Sequence, residues 1–272
     1  MTNEVLISRS GALGGFDMLE SQVHDFEYAT HRHPEVVIAS YVAGFKIATC
    51  GQHQFAVNAG DVLVIGPETL HKAKTFADHG WRYRSAYLMP DQISASTGLS
   101  LSEVGRRVDG HRLHRRAGAL GLKFSQALED LDHQPLALAE FLTELLANTN
   151  TLDIKPGTVS ASLKRVHDQL ADDPASTTTL VALAELAGLS PEYLSRQFKA
   201  AYGLSPFLFL TSARVRLAKD KITSGSSLSE AAYAVGFADQ SHLSRWFKRI
   251  YGVSPGAFAK SQIRSRLTEN DQ

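Results

Sequence analysis

The sequence predicts an α+β chain of two domains. The first is an antiparallel β-barrel or sandwich with a helical pair, and the second is all-α with two helix-turn-helix modules joined by a long helix. Three observations predict it. Residues 24–90 have the texture of short strands. Residues 148–160 are polar and contain Pro-Gly. Beyond them a thirteen-residue segment is written twice, as LSRQFKAAYGLSP (Leu194–Pro206) and LSRWFKRIYGVSP (Leu243–Pro255), identical at nine positions.

The strand reading rests on four stretches. VVIASYVAGF (Val36–Phe45) and DVLVIGP (Asp61–Pro67) are β-branched and bounded by Gly, Asp or Pro. KIATCGQHQFAVNAGD places Gly51-Gln52 as a hairpin turn between alternating runs, and WRYRSAYLMP alternates again. After about residue 95 the spacing becomes helical. Leu122–Leu131 forms one helix and Pro135–Thr149 another, with Asp132-His133-Gln134 as a tight connection. Leu138, Phe141, Leu142, Leu145 and Leu146 make an apolar stripe. That stripe can pack on the barrel or its neighbouring helix, or form a homodimer seam.

The expected division is 1–150, a linker at 151–160, a helical domain at 161–262 and a polar tail at 263–272. Residues 1–155 hold 14 Lys+Arg against 18 Asp+Glu, and residues 156–272 hold 14 against 10. The chain is neutral in sum, but its second part is basic, which favours a polyanionic partner there. Cys50 is the only cysteine, so no intramolecular disulfide forms and a reducing compartment is expected. The N-terminal stretch lacks a signal-peptide core, and no run is long enough to span a membrane. A cytoplasmic protein with no membrane partner is expected.

Each repeat copy sits in a longer unit. In the first, Thr178 or Thr179 caps a helix that Gly188 ends, Leu189 turns inward, and Ser190-Pro191 opens a second helix. Leu194, Phe198 and Tyr202 are its predicted buried stripe. In the second, Gly236 is the turn, Phe237 the inward plug, Asp239 the cap, and Leu243, Phe247 and Tyr251 the stripe. The opposite faces carry Glu192, Ser195, Arg196 and Lys199, then Gln240, Ser241, Ser244, Arg245 and Lys248. Arg reads guanine edges bidentately and Gln reads adenine, while Lys199, Lys248 and Arg249 suit phosphates. A helix across Ser205–Gly225, with Phe207, Leu210, Ala213, Leu217 and Ala218 inward, would hold the two modules apart. Successive major-groove segments on one DNA face lie about 34 Å apart.

The run Leu228-x7-Gly236-Phe237-x-Asp239-x-Ser241-x2-Ser244-Arg245-x-Phe247-Lys248-x3-Gly252-x-Ser254-Pro255-x2-Phe258 resembles the AraC/XylS family of transcription regulators, over roughly residues 161–262. The chain departs at His242-Leu243, where the family has Tyr-Phe, at Ala231-Ala232, where it prefers Ile-Ala, and at Lys260, near an expected Arg. The resemblance implies a two-module DNA-binding domain that positions RNA polymerase at a promoter, typically as an activator. It places base reading on Glu192, Ser195, Arg196, Gln240, Ser241, Ser244 and Arg245. Glu192 is the weakest of these, since a carboxylate is unwelcome among phosphates.

The N-terminal stretch looks like a cupin barrel, as in the sensor domains of many such regulators. A small-molecule effector is then expected among His31, His33, Glu35, Tyr41, His71 and Trp81, with His53 and Tyr83 as further lining. No cofactor, resident metal or catalytic residue is expected. A metal, were there one, belongs on His31, His33 and His71, with Glu35 as the oxygen ligand. The rival reading is a cupin-type metal-dependent enzyme fused to a DNA-binding domain.

Overall fold

Inward-facing apolar residues at every second position build the strands of the N-terminal part. The computed structural model describes residues 4–51, 53–75, 80–114, 117–131, 134–147 and 160–270. The strands are β1 (Glu4–Ser10), β2 (Phe16–Val23), β3 (Val36–Ala43), β4 (Phe45–Cys50), β5 (His53–Asn58), β6 (Val62–Ile65), β7 (His71–Thr75), β8 (Trp81–Leu88) and β9 (His111–His114). They form a six-stranded sheet, β1-β2-β8-β3-β6-β9, and a three-stranded sheet, β5-β4-β7. The strand pairings are antiparallel, as predicted.

Strand structure extends beyond the predicted 24–90. β1 and β2 precede it and β9 follows it. EVLISRS and FDMLESQV interleave polar with apolar residues, and Leu6 faces outward at 59% exposure. An edge strand of that kind lacks the β-branched run that marks β3 and β6. The hairpin at Gly51 is present, with φ +57° there, and Gln52 lies outside the described residues.

The central strands β3 and β6 are buried along most of their length. Val36, Ile38, Val62, Val64, Ala86 and Leu88 face a helical layer. That layer comprises α1 (Pro90–Thr97), α2 (Leu101–Val108), α3 (Gly118–Glu129) and α4 (Pro135–Ala147). α3 approaches β3 so closely that a Cβ on Gly121 would lie 2.6 Å from Ser40 Oγ. All five residues of the predicted α4 stripe are buried in this core. Each removes an apolar side chain from water, worth roughly 1.5–3 kcal/mol apiece. The stripe is therefore consumed within the chain and supplies no dimer seam. α1 and α2 were not anticipated, although Ser100 and Glu103 form a capping box that the sequence displays as S-x-x-E. The expected tight connection at Asp132-His133 and the linker at 148–159 lie outside the described residues.

The chain divides into two compact units, Met1–Asp153 with Lys260–Gln272, and Ile154–Ala259. The remaining helices are α5 (Ala161–Asp172), α6 (Leu180–Ala187), α7 (Pro191–Tyr202), α8 (Pro206–Thr223), α9 (Leu228–Ala234), α10 (Gln240–Tyr251) and α11 (Pro255–Asn270). Thr179, Ser190, Ser205, Ser227 and Asp239 each cap a helix through the side chain. Leu194, Phe198, Leu243 and Phe247 are fully buried. Tyr202 and Tyr251 are only half-buried, contrary to the predicted stripes. Steps of four residues drift about 40° per step on a helix, so the third member leaves the core face. In α8 Phe207 points outward at 61% exposure, and Phe209 takes the inward place beside Leu210 and Ala213. The expected polar tail is helical to Asn270, since no Gly or Pro interrupts it.

Candidate functional site

The exposed faces of α7 and α10 are the candidate nucleic-acid interface. Ser190 Oγ accepts from Tyr193 N at 3.3 Å to start α7, and Asp239 Oδ1 accepts from His242 N at 2.7 Å to start α10. Burial of Leu194/Phe198 and Leu243/Phe247 turns the opposite faces outward. Arg196, Lys199, Gln240, Ser241, Arg245, Lys248 and Arg249 are exposed, while Ser195 and Ser244 are half-buried at equivalent positions. α10 carries Arg245, Lys248 and Arg249 with no acid among its residues. Arg249 sits 4.8 Å from the Trp246 ring centroid, so that guanidinium already has an aromatic face. Glu192 lies in the first turn of α7, where the helix dipole favours a carboxylate. That gives Glu192 a structural role of its own.

Arg214 is a residue that sequence reasoning missed. Its guanidinium donates to Pro174 O (2.8 Å), Ser176 O (3.1 Å) and Gly236 O (2.8 Å). From the middle of α8 it thus ties the loop before α6 to the turn between α9 and α10. The signal available was an arginine flanked by the inward-facing Ala213 and Val215.

The barrel interior divides into an aromatic box and a histidine cluster. Tyr41 stacks on Trp81 at 5.8 Å and Trp81 on Tyr83 at 4.5 Å between ring centroids. Tyr41 and Tyr83 face each other across β3 and β8. Lys46 fills the box, its Nζ 4.0 Å from the Trp81 centroid and 4.6 Å from that of Tyr41. Burial pushes the Lys46 ammonium down to about 7, with the nearby Cys50 opposing. The space expected for an effector is thus held by a side chain of the protein. Lys46, Ala48 and Cys50 are the inward residues of β4, an alternation that could have revealed the lysine. Burial raises the Cys50 thiol to about 12, with Lys46 opposing.

His31, His33 and His71 come together as predicted, with one nitrogen of each within 4.8 Å of the others. Burial and the neighbouring His33 lower His31 to about 4, and His71 is lowered well below its ordinary value, first by burial. Glu35 is not part of this set. Its carboxylate lies 3.7 Å from His33 Nδ1, the nitrogen whose outer position is shared with the Glu35 carbonyl. Of the predicted lining residues, His53 strays: it is exposed and packs near His111. A separate groove of about 640 Å³ runs along α3 and α4, lined by Lys123, Glu129, Asp130, Glu140 and Glu144 among others.

Residues 13–146 match the AraC-like ligand binding domain, and residues 183–261 match a helix-turn-helix domain. The uncharacterized HTH-type transcriptional regulator YbfI of Bacillus subtilis is 27% identical over 224 residues, covering 79% of this chain and 81% of that protein. The HTH-type transcriptional activator RhaS of Escherichia coli is 25% identical over 239 residues, covering 82% and 84%. The crystal structure of ToxT from Vibrio cholerae has a TM-score of 0.54 to this fold at 11% identity, covering 96% of this chain and 98% of ToxT. Another ToxT structure contains an unsaturated fatty acid. The two matched segments fall on the barrel with its helical layer and on the paired helix-turn-helix modules, in that order, and the chain belongs to the AraC family of DNA-binding transcriptional regulators.

Proposed function

We propose that α7 and α10 read two successive major-groove segments of a promoter operator, and that a small organic anion bound in the barrel controls this. The duplicated exposed basic face carries the first half of the reading. Arg196, Gln240 and Arg245 are assigned to base edges, and Lys199, Lys248 and Arg249 to phosphates, with Ser195, Ser241 and Ser244 beside them. One chain supplies both contacts, so a monomer marks two half-sites and a homodimer would mark four. RNA polymerase is the partner that a promoter-bound regulator positions.

Lys46 supports the choice of an anion. It is a buried amine set among ring faces, and burial weakens its hold on the proton. An anion entering the box would restore its charged form. The ToxT complex with a fatty acid points to the same ligand class on a related fold. We read the barrel as a sensor and not as a catalyst, because the Glu35 carboxylate stands at His33 Nδ1 and is not among the groups that converge with the three histidines.

Selection of bound sequences from random duplex DNA, at fixed physiological salt, tests the reading. Two short motifs about one helical turn apart are expected. No enriched motif from a well-folded preparation, with and without carboxylic acids added, would refute it.

A further inference from the structure

The repeat is not fully symmetric, and the asymmetry lies at its turns. Gly188 and Gly236 hold equivalent places, each between the two helices of a module. A Cβ added at Gly188 meets nothing within 4 Å. A Cβ added at Gly236 would lie 2.9 Å from Arg214 Cζ and 3.2 Å from Ala175 O. Ala175 belongs to the loop before α6, so the turn of the second module abuts the first module. The first module closes its own turn without such a neighbour. The contact at Gly236 therefore serves something other than the fold of one module.

Arg214 bridges that meeting point. It stands in the middle of α8, the helix that joins the modules, and each guanidinium nitrogen has its own partner. Nε donates to Pro174 O at 2.8 Å, Nη2 to Ser176 O at 3.1 Å and Nη1 to Gly236 O at 2.8 Å. Both anchors are firmly attached to their helix pairs. Ser176 donates to Asp173 O through both its N–H and its hydroxyl, and Thr179 caps α6. On the other side Phe237 N donates to Ala232 O at 3.0 Å, and Asp239 caps α10. A guanidinium is planar with its donors in a fixed fork, so three bonds at once set orientation as well as distance. α8 alone cannot do this. Its 18 residues make a helix about 27 Å long. The modules join its ends through short segments containing Gly203 and Gly225, both at positive φ. Rotation there would turn α7 relative to α10 without disturbing either helix-turn-helix.

We propose that Arg214 is a positioning residue that fixes the phase between α7 and α10, and so restricts this regulator to operators with one spacing between their two motifs. The inference rests on the two-groove reading given above. One inserted base pair moves the second motif about 3.4 Å along the duplex and turns it about 34°. A clamped pair of helices cannot follow both changes, whereas a pair released at Arg214 swings toward them.

The test uses the full chain and the selected operator, with the spacer between motifs shortened or lengthened by one base pair, and a duplex carrying one motif only. Wild type should lose about tenfold or more on either altered spacer, the scale of one mismatched base pair. Arg214→Met keeps the apolar stem and removes the fork. It should distinguish the spacers by no more than about threefold, while binding the single-motif duplex as wild type does. Partial unfolding would weaken all duplexes together and leave the spacer profile unchanged. An unchanged profile in Arg214→Met overturns the proposal, as does a wild type that accepts all three spacers. Should Arg214→Met fail to fold, Arg214→Lys takes its place, since it keeps the charge and loses the fork. Wild type that binds no motif at all refutes the two-groove reading instead, and a measurement without DNA then decides the clamp. Spin labels at Glu185→Cys on α6 and Ser229→Cys on α9, both exposed, in a Cys50→Ala background, report the separation of the modules. One narrow distance is expected with Arg214 and a broadened distribution with Arg214→Met. A broad distribution with Arg214 in place, or an equally narrow one without it, overturns the clamp.

Discussion

Gly188 and Gly236 hold equivalent turns, yet alanine should be tolerated very differently at the two. Gly188 has φ +68°, and a Cβ added there meets nothing within 4 Å. Gly188→Ala therefore incurs only the left-handed backbone penalty, about 1–2 kcal/mol. Gly236 has φ +86°, and its added Cβ would lie 2.9 Å from Arg214 Cζ and 3.2 Å from Ala175 O. The backbone oxygen cannot step aside, so the guanidinium must, and it gives up its 2.8 Å bond to Gly236 O. A hydrogen bond to a charged group contributes about 1.5–3 kcal/mol. Gly236→Ala should thus cost about 3–5 kcal/mol, the backbone penalty included. Urea unfolding of the full chain would be followed by emission in a Trp81→Phe background, where Trp246 alone reports on the second unit. Arg214→Met in both glycine backgrounds completes a double-mutant cycle, with a coupling of at least about 1 kcal/mol expected for Gly236. Equal costs for the two alanines, or zero coupling, would refute the reasoning.

Arg245→Ala should weaken operator binding by roughly 1–3 kcal/mol at one base and relax specificity there, read by competition with single-base operator variants. Lys248→Ala should weaken all sequences alike and lower the salt slope by about one, read from titrations at several salt concentrations. Asp239→Ala removes the cap of α10 and should cost about 1 kcal/mol in the same urea assay, whereas Asp239→Asn should retain most of it. Lys46, with an ordinary value of 10.5 and a folded value of about 7, binds a proton in the unfolded chain that the folded chain lacks between those limits. Stability should therefore rise with pH across that window. Between pH 7 and 8.5, below the raised Cys50 and phenols, the gain in the barrel's urea stability should be about 1–2 kcal/mol, and Lys46→Met should abolish it.

The second unit was legible because its signals are local and doubled. Gly188, Ser190, Pro191, Gly236 and Asp239 each fix one backbone event, and the repeat checks each against its counterpart. Phe207 was misassigned because Phe207 and Phe209 both fit a helical stripe, and only the packing of α8 decides between them. In the barrel the β-branched runs of β3 and β6 announced themselves, whereas β1, β2 and β9 are edge or near-edge strands held by their neighbours. That His31 and His33 share a face was readable from their alternation, whereas their meeting with His71 depends on the bridge between residues 31 and 71. Their Nδ1 hydrogen bonds to the Ala29, Glu35 and Thr69 carbonyls were not readable, because they depend on the local turn of the backbone. Arg214 and Lys46 were missed for one shared reason. A charged side chain directed inward contradicts the usual pattern, and its partners lie far away in sequence.

Cys50 gives the protein a chemical clock. Its thiol is 1% exposed, on the inner face of β4 opposite His71, and burial holds it protonated at neutral pH. A maleimide or disulfide reagent in solution meets a thiolate only after the barrel opens. With reagent present in excess and closing fast, the alkylation rate measures the equilibrium fraction of open molecules. Any molecule that settles inside the barrel lowers that fraction by mass action and slows the clock. Because Cys50 is the sole cysteine, the whole signal comes from one atom. Candidate effectors can thus be ranked by how far they slow labelling, before any operator sequence is known.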